Sequence, residues 1–158
     1  MEVLQTLIHN KMFVAPILGW TVAQVLKTII HCILTKNFSA ERLIGSGGMP
    51  SSHSATVVAL MYATAFCKGV EGFEFPMATA LAIIVMYDAM NVRMETGKQS
   101  VVLNFFLRNE DIMNQLKNVS KEEWPAIILK EYVGHTPLQV LGGIVTGIVV
   151  GYLVCRFL

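Results

Sequence analysis

Residues Gly45–Ala55 read Gly-Ser-Gly-Gly-Met-Pro-Ser-Ser-His-Ser-Ala and lead into the apolar run Ala55–Phe66. Glycines let the backbone turn tightly, and proline fits the first turn of a helix because its missing N–H costs nothing there. The stretch therefore predicts a helix that begins at Pro50 and carries the His53 imidazole near its N-terminus. The N–H groups and the positive dipole end of such a helix attract anions, phosphate above all.

The composition indicates an integral membrane protein. Of the 158 residues, 54% are hydrophobic and 15% are charged, whereas soluble proteins average about 25% charged residues. The apolar residues are gathered into long runs, and the length suits one domain over residues 1–158. The formal net charge of +1 gives no support for nucleic-acid binding, which requires a concentrated basic face. Three cysteines without metal-like spacing favour neither a disulfide framework nor a zinc site.

The apolar runs predict an all-α fold with a bundle of about four transmembrane helices, since a bilayer requires about 20 residues per span. The predicted spans are Met12–Leu34, Pro50–Cys67, Phe75–Val92 and Pro137–Leu158. Short amphipathic or interfacial helices complete the bundle. Met1–Asn10 is one of them, and the capping-box pattern of Ser120–Glu123 predicts another through Trp124–Val133. We expect the first segment to be retained, because Glu2 stands where a signal peptide would carry basic residues.

The last span carries Gly143, Gly147 and Gly151 at intervals of four residues. Such a stripe lets two helix backbones approach closely. It is compatible with a homodimer formed through this face and with close packing inside one bundle.

The distribution of lysine and arginine predicts the orientation. Most of these residues lie in the first and third connections, and few lie on the opposite side. The positive-inside rule then places the loop before His53 on the cytoplasmic side of a bacterial-type cell membrane.

Lys27 is the most unusual residue of the first span. A lysine deep in a span costs about 2.5–3.5 kcal/mol on insertion scales, and Gln24 lies on the same helix face. We expect both to face the bundle interior or a polar cavity, although a lysine can also extend to the interface. Asp88, near the end of the third span, is a counter-charge for Lys27 or for Arg93. A divalent-cation site formed by Asp88 and Glu95 has weaker support.

A second histidine stands at a second helix start. His135 lies in the stretch Gly134–Gln139. There Thr136 fits the N-cap of a helix and Pro137 fits its first position, while the Gln139 side chain can cap the Thr136 backbone in return. Gln139 therefore has either a structural role or a role in orienting His135. Both histidine-bearing helix starts lie on one side of the membrane, so two imidazoles and nearby cations can surround a tetrahedral oxyanion. One histidine can attack phosphorus while the other protonates the leaving oxygen.

Two motifs carry a family resemblance: Gly-Gly-Met-Pro-Ser-Ser-His-Ser at 47–54 and Gly-His-Thr-Pro-Leu-Gln-Val-Leu-Gly-Gly at 134–143. The chain resembles the divergent branch of the type 2 phosphatidic acid phosphatase superfamily, relatives of acid phosphatases and vanadium haloperoxidases. The resemblance covers nearly the whole chain, including the face of Gln24 and Lys27. Pro50–His53 looks like the superfamily's Pro-Ser-Gly-His motif, with Ser52 in place of glycine.

The resemblance implies a metal-independent enzyme that needs no cofactor and hydrolyses a lipid phosphate or pyrophosphate in the bilayer. His135 would form a phosphohistidine, His53 would protonate the leaving group, and Gln139 would orient His135. The residues that would hold the phosphoryl oxygens are Lys27, Arg93, Ser51, Ser52 and Lys130. Gln24 and Asp88 would support this site.

The chain departs from the superfamily pattern at further positions, and no Arg-Pro follows Lys27 at the expected distance. Gln139 stands where an aspartate is expected, and Leu129 occupies the position of an arginine, so that Lys130 or Arg93 would have to supply its charge. A glutamine can accept the imidazole N–H but carries no charge to stabilise an imidazolium. The alternative is therefore a lipid-phosphate binding or transport protein built on the same site without turnover. Phosphatidate, phosphatidylglycerol phosphate and polyprenyl phosphates all remain open as ligands.

Overall fold

The computed structural model describes residues 2–38, 43, 45, 47–120, 128, 129, 131 and 133–158. Within these residues it is all-α, as predicted. The helices are α1 (Glu2–Ile8), α2 (Lys11–Thr35), α3 (Ser52–Lys68), α4 (Glu74–Met90), α5 (Val92–Leu107), α6 (Glu110–Ser120) and α7 (Pro137–Phe157).

Helix α3 is the centre of the bundle, since it packs against α2, α4 and α7. Its small residues allow this, because Ala59 and Ala63 are fully buried together with Ala15 of α2. The predicted start of this helix at Pro50 is wrong. Pro50 lies just outside it, and Ser51 is the N-cap, whose Oγ accepts a hydrogen bond from the Ser54 N–H at 3.3 Å. A serine hydroxyl can accept a hydrogen bond from an N–H of the first turn, whereas a proline side chain has no acceptor. Ser51 therefore sets the boundary of the helix.

The glycine stripe of α7 faces α3 inside the chain. Gly143, Gly147 and Gly151 are all buried. A Cβ atom on Gly147 would lie 2.7 Å from the Ala55 carbonyl oxygen, and one on Gly151 would lie 2.9 Å from the Tyr62 Cβ. The stripe thus serves internal packing, and a homodimer through it would require α3 and α7 to separate. The homodimer through this face stays a prediction.

Three of the described helical segments are long and apolar enough to cross a membrane: Lys11–Thr35, Glu74–Leu107 and Pro137–Phe157. The remaining predicted span corresponds to α3, which has only 17 residues and lies among the other helices. The second segment joins α4 and α5 across Asn91 and has 34 residues. A straight helix of that length measures about 51 Å, so only part of it fits a hydrocarbon core of about 30 Å.

The predicted helix through Trp124–Val133 is wrong where the structure describes it. Ser120 is the last residue of α6, and Leu129 and Val133 lie outside any helix; residues 121–127 lie outside the described residues. The capping signal that operates here is Asn109, whose Oδ1 accepts from the N–H groups of two first-turn residues of α6. An asparagine cap begins the helix earlier than the serine pattern suggests. The amphipathic lead at Met1–Asn10 is confirmed as α1.

Because α7 packs closely on α3, we expect Gly147→Ala to lower the stability of the protein. The added methyl would meet backbone and the Val58 Cβ at 2.8 Å, and such overpacking costs about 1–3 kcal/mol. We expect a clearly lower melting temperature in detergent, measured by intrinsic fluorescence. Gly142→Ala is the matched control, because its nearest neighbour is the flexible end of Met49 at 3.1 Å. Equal stability of the two variants would contradict this packing.

Candidate phosphate site at two helix starts

The two histidines predicted to act together do meet. His53 lies in the first turn of α3, and His135 comes two residues before α7. Their ring centroids are 5.7 Å apart, with an edge-to-face angle of 64°. The Ser51 N–H donates to the Gln139 carbonyl oxygen at 2.9 Å, which ties the two helix starts together. The prediction that both helices begin on one side is confirmed.

Two backbone contacts fix His135, which is only 2% exposed. Its backbone N–H donates to the Ala89 carbonyl oxygen at 2.9 Å, at the end of α4. The preceding Gly134 has a φ of +97°, and a Cβ there would lie 2.6 Å from the Met94 nitrogen. Only glycine suits that conformation and that close approach. The junction of α4 and α5 therefore sets the position of the imidazole.

The side chain of Gln139 determines the tautomer of His135. Gln139 Oε1 lies 3.1 Å from the Thr136 backbone nitrogen and 3.1 Å from His135 Nδ1. A backbone N–H can only donate, so the side-chain atom at this position must be the oxygen. An oxygen can only accept, and His135 Nδ1 must then carry the proton. The lone pair of the neutral ring consequently lies on Nε2.

The same contacts make Gln139 the second half of a capping box. The Thr136 Oγ1 accepts from the Gln139 N–H while the Gln139 side chain accepts from the Thr136 N–H. Both roles proposed for Gln139, the structural one and the orienting one, are thus performed by a single oxygen. Thr136 as N-cap and Pro137 in the first turn are confirmed as well.

Burial lowers the pKa of His135 below its ordinary value of 6.5, and the positive charges of Lys27 and Arg93 lower it further. The Gln139 hydrogen bond and the backbone of Gly48 act in the opposite direction and raise this pKa. Because the net direction is downward, His135 is mostly neutral at pH 7. A neutral imidazole with a lone pair on Nε2 is the form that can act as a nucleophile.

Lys27 is held inside the bundle, as predicted, and does not extend to the interface. It is 2% exposed and Gln24 is 4% exposed. The Lys27 ammonium donates to Gln24 Oε1 at 2.6 Å and to the Gly45 carbonyl oxygen at 3.4 Å. Its aliphatic stem packs on Gly48, where a Cβ would lie 3.2 Å from the Lys27 Cγ. Gly48, five residues before His53, thus leaves room for the Lys27 side chain.

Arg93 supplies the second cation, and its partner is Asp88. Arg93 Nε lies 2.7 Å from Asp88 Oδ2, and both side chains are about two-fifths exposed. Of the two counter-charges considered for Asp88, the structure pairs it with Arg93. Glu95 pairs separately with Lys98 at 2.6 Å. Each carboxylate of the weakly supported cation site therefore has a cation of its own.

The serines at the start of α3 are turned into the fold. Ser51 is fully buried, and its Oγ also accepts from the Ser54 hydroxyl at 3.1 Å; Ser52 is 4% exposed. Nothing in the described part of the chain accepts from the backbone N–H groups of Ser52 and His53. The phosphate contacts of the serine hydroxyls stay a prediction, and the open donors at this helix start are backbone groups.

Lys130 lies outside the described residues, so its phosphate-binding role stays a prediction.

His53 Nδ1 is buried and has no hydrogen-bond partner among the residues described. Since buried polar atoms are nearly always paired, this nitrogen is a position at which a ligand oxygen or a water molecule would be expected.

Sequence reasoning missed Asn104 of α5, which is 2% exposed. Its Nδ2 donates to the Leu129 carbonyl oxygen at 2.9 Å and to Glu131 Oε1 at 2.8 Å, and its Oδ1 accepts from the Leu129 N–H at 2.9 Å. Asn104 thereby holds the segment that leads to His135. The available signal was a lone amide within the apolar run Val101–Phe106, which no motif singles out.

The chain matches a protein family and a bacterial membrane protein. The model of the divergent PAP2 family matches residues 8–150, a range that includes both histidines and Gln139. The uncharacterized membrane protein YuiD of Bacillus subtilis (strain 168) is 35% identical over 138 residues, which are 85% of this chain and 87% of the relative. No solved structure matches. Together with the three apolar helices, these findings support a membrane location.

The shared oxygen of Gln139 predicts the effect of Gln139→Glu. Glutamate also completes a capping box, so the helix start should persist, while its charge should raise the pKa of His135 by about 1–3 units. The imidazolium would then persist to higher pH than in the wild-type protein. NMR titration of histidine-labelled protein in detergent measures this shift. Gln115→Glu, on the exposed surface of α6, should leave the titration unchanged; an unshifted His135 in Gln139→Glu would contradict the assigned hydrogen bond.

Proposed function

The chain belongs to the divergent PAP2 family, and from that premise we propose that it is a membrane phosphatase that hydrolyses a lipid phosphate or pyrophosphate monoester. The observation that carries the proposal is the pairing of two imidazoles at one point. His135 offers a lone pair on Nε2, and the His53 ring lies 5.7 Å away from its ring. Lys27 and Arg93 both lie close enough to lower the pKa of His135 by their charge.

In the first step, the His135 Nε2 lone pair attacks phosphorus, and the bond between phosphorus and the lipid oxygen breaks. Burial and the nearby positive charges lower the pKa of His53 in the free protein, but the negative charge of a bound phosphate favours its protonated form. That imidazolium gives its proton to the leaving oxygen, so the lipid leaves as an alcohol, or as a monophosphate when the substrate is a pyrophosphate. The His135 Nδ1 proton stays directed at Gln139 Oε1, and the enzyme holds a phosphohistidine. Lys27, Arg93 and the open N–H groups at the start of α3 would balance the charge on the phosphoryl oxygens.

In the second step, the now neutral His53 accepts a proton from a water molecule. The water oxygen attacks phosphorus, the bond to Nε2 breaks, and inorganic phosphate leaves. His135 returns to the neutral tautomer that Gln139 selects, and His53 is again protonated. Gln139 acts through orientation alone, because an amide oxygen carries no full charge to stabilise the imidazolium of the intermediate.

The second candidate is a lipid-phosphate binding or transport protein without turnover. The uncharged amide of Gln139 favours it, since removing charge beside a catalytic histidine raises the barrier to forming an imidazolium. The same cations and helix start would still bind the phosphate group. The two candidates differ only in whether a bond to phosphorus breaks.

Phosphate release separates these candidates. Detergent-purified protein is given phosphatidate, phosphatidylglycerol phosphate and a polyprenyl pyrophosphate in turn, and free phosphate is measured. We expect His135→Ala to abolish release and His53→Ala to slow it by about 10²–10⁴-fold, the usual contribution of a general acid. His9→Ala, an exposed histidine bonded to the Gln5 carbonyl, is the matched control.

Unchanged rates in both His53→Ala and His135→Ala would refute the phosphatase. If no substrate is turned over while vanadate raises the melting temperature of the wild-type protein but not of His135→Ala, the binding protein is favoured. An absence of both turnover and protection would exclude both candidates.

We further propose that the site faces the cytoplasm, on the basis of the lysine and arginine distribution. Exposed Cys67 lies in the last turn of α3, about 21 Å along the helix from His53. We expect a membrane-impermeant maleimide to label Cys67 in intact cells, with Cys67→Ser as the control. Labelling that requires permeabilised cells would contradict this orientation.

A further inference from the structure

A groove runs along α5 and ends at the proposed nucleophile. One wall is α5, with Met94, Gly97 and Val101, and the other is the segment that carries Val133. His135 and Gln139 form its inner end. This part of the groove has a volume of about 370 Å³, within the range of small-molecule sites. We call it the α5 groove.

The α5 groove continues towards the end of the helix. An adjoining cavity of about 410 Å³ shares Val101 and Glu131 with it and reaches Phe105 and Arg108. From Met94 to Arg108 the helix rises about 21 Å. One leaflet of a bilayer contributes about 15 Å of hydrocarbon, half of the core. The groove is thus long enough for one extended lipid chain that starts at His135.

The walls are fixed by specific contacts. The Asn104 amide bonds both the N–H and the carbonyl oxygen of Leu129. At the other end, a Cβ on Gly97 would lie 2.6 Å from the Glu131 carbonyl oxygen, so the two walls already touch there. A groove held by a buried amide and a backbone contact is formed before any ligand arrives.

The chemistry of the walls selects an apolar occupant. Most of the lining surface is apolar, and Lys98 at the rim is paired with Glu95. Phe105 of the adjoining cavity is itself largely exposed, so an apolar chain can enter the groove from outside. The polar end is His135, where the phosphate is attacked in the proposed mechanism.

We propose that the α5 groove binds the apolar chain of a single lipid phosphate and places its phosphate group on His135. This inference rests on the proposed function. It adds that the part of the substrate that does not react is an apolar chain and that this chain lies in the α5 groove. The protein should then prefer long-chain over short-chain phosphates, because only the long chain fills the groove.

The test compares hexadecyl phosphate with butyl phosphate in mixed micelles. Val101→Trp fills the groove and should reduce the preference for the long chain, taken as the ratio of kcat/KM values, by about tenfold, the loss expected when a few buried methylenes are displaced. The change should lie mainly in KM. Val102→Trp is the matched control, because this next residue of α5 lies outside the groove, and it should keep the wild-type preference.

A binding measurement keeps the inference independent of turnover. Hexadecylphosphonate, which cannot be hydrolysed, should raise the melting temperature of the wild-type protein and of Val102→Trp but not of Val101→Trp. Val133→Phe, on the opposite wall, should repeat the effect if Val101→Trp fails to fold. If the wild-type protein hydrolyses neither phosphate but hexadecylphosphonate still protects it selectively, the proposed enzyme fails and the groove stands.

Three results would overturn the inference. The first is equal chain preference in Val101→Trp and Val102→Trp. The second is equal protection of both by hexadecylphosphonate. The third is a changed oligomeric state of Val101→Trp in detergent, which would make the groove a contact between copies of this chain.

Discussion

The close approach of α3 and α7 is the constraint on which the site depends. Three glycines of α7 remove every side chain that would hold the two backbones apart, and the Ser51 N–H to Gln139 carbonyl hydrogen bond fixes the register at one end. Because each helix carries a histidine at that end, the same contact that packs the core also brings the imidazoles together. Bulk at Gly147 would therefore act on the site through the packing, without touching any group in it.

A small number of buried polar side chains organise the surroundings of His135. One amide oxygen closes a helix cap and selects the histidine tautomer. One lysine is kept within the bundle by a glutamine and a backbone carbonyl. These buried groups have partners in the protein, so this part of the site is organised without a ligand, whereas His53 Nδ1 has no partner among the described residues. Such preorganisation is what electrostatic stabilisation of a transferring phosphoryl group requires.

The sequence predicted those features that local signals encode. The apolar runs predicted α2, α4 and α7, and the Thr-Pro-x-Gln pattern predicted the cap before α7, because both depend on near neighbours in the chain. The start of α3 was misplaced by two residues, since Pro50 and Ser51 both fit a helix start and the Ser51 cap sets the boundary. The role of Asn104 could not be predicted, because its partners lie 25 and 27 residues away and a single amide has no periodicity. The partner of Asp88 was left open for a similar reason, as Lys27 and Arg93 are equally plausible until the helices are placed.

The burial of Lys27 bears on how the chain enters the membrane. An isolated α2 would carry an ammonium group into the hydrocarbon at a cost of about 2.5–3.5 kcal/mol, with only Gln24 from its own helix as a partner. The Gly45 carbonyl and the Gly48 surface, which Lys27 also contacts, belong to the connection leading into α3. The lysine therefore couples the two helices during biogenesis: α2 is best accommodated when it inserts together with α3, as a helical hairpin. The lysine to which we assign a phosphate-binding role would in this way also impose an order on assembly.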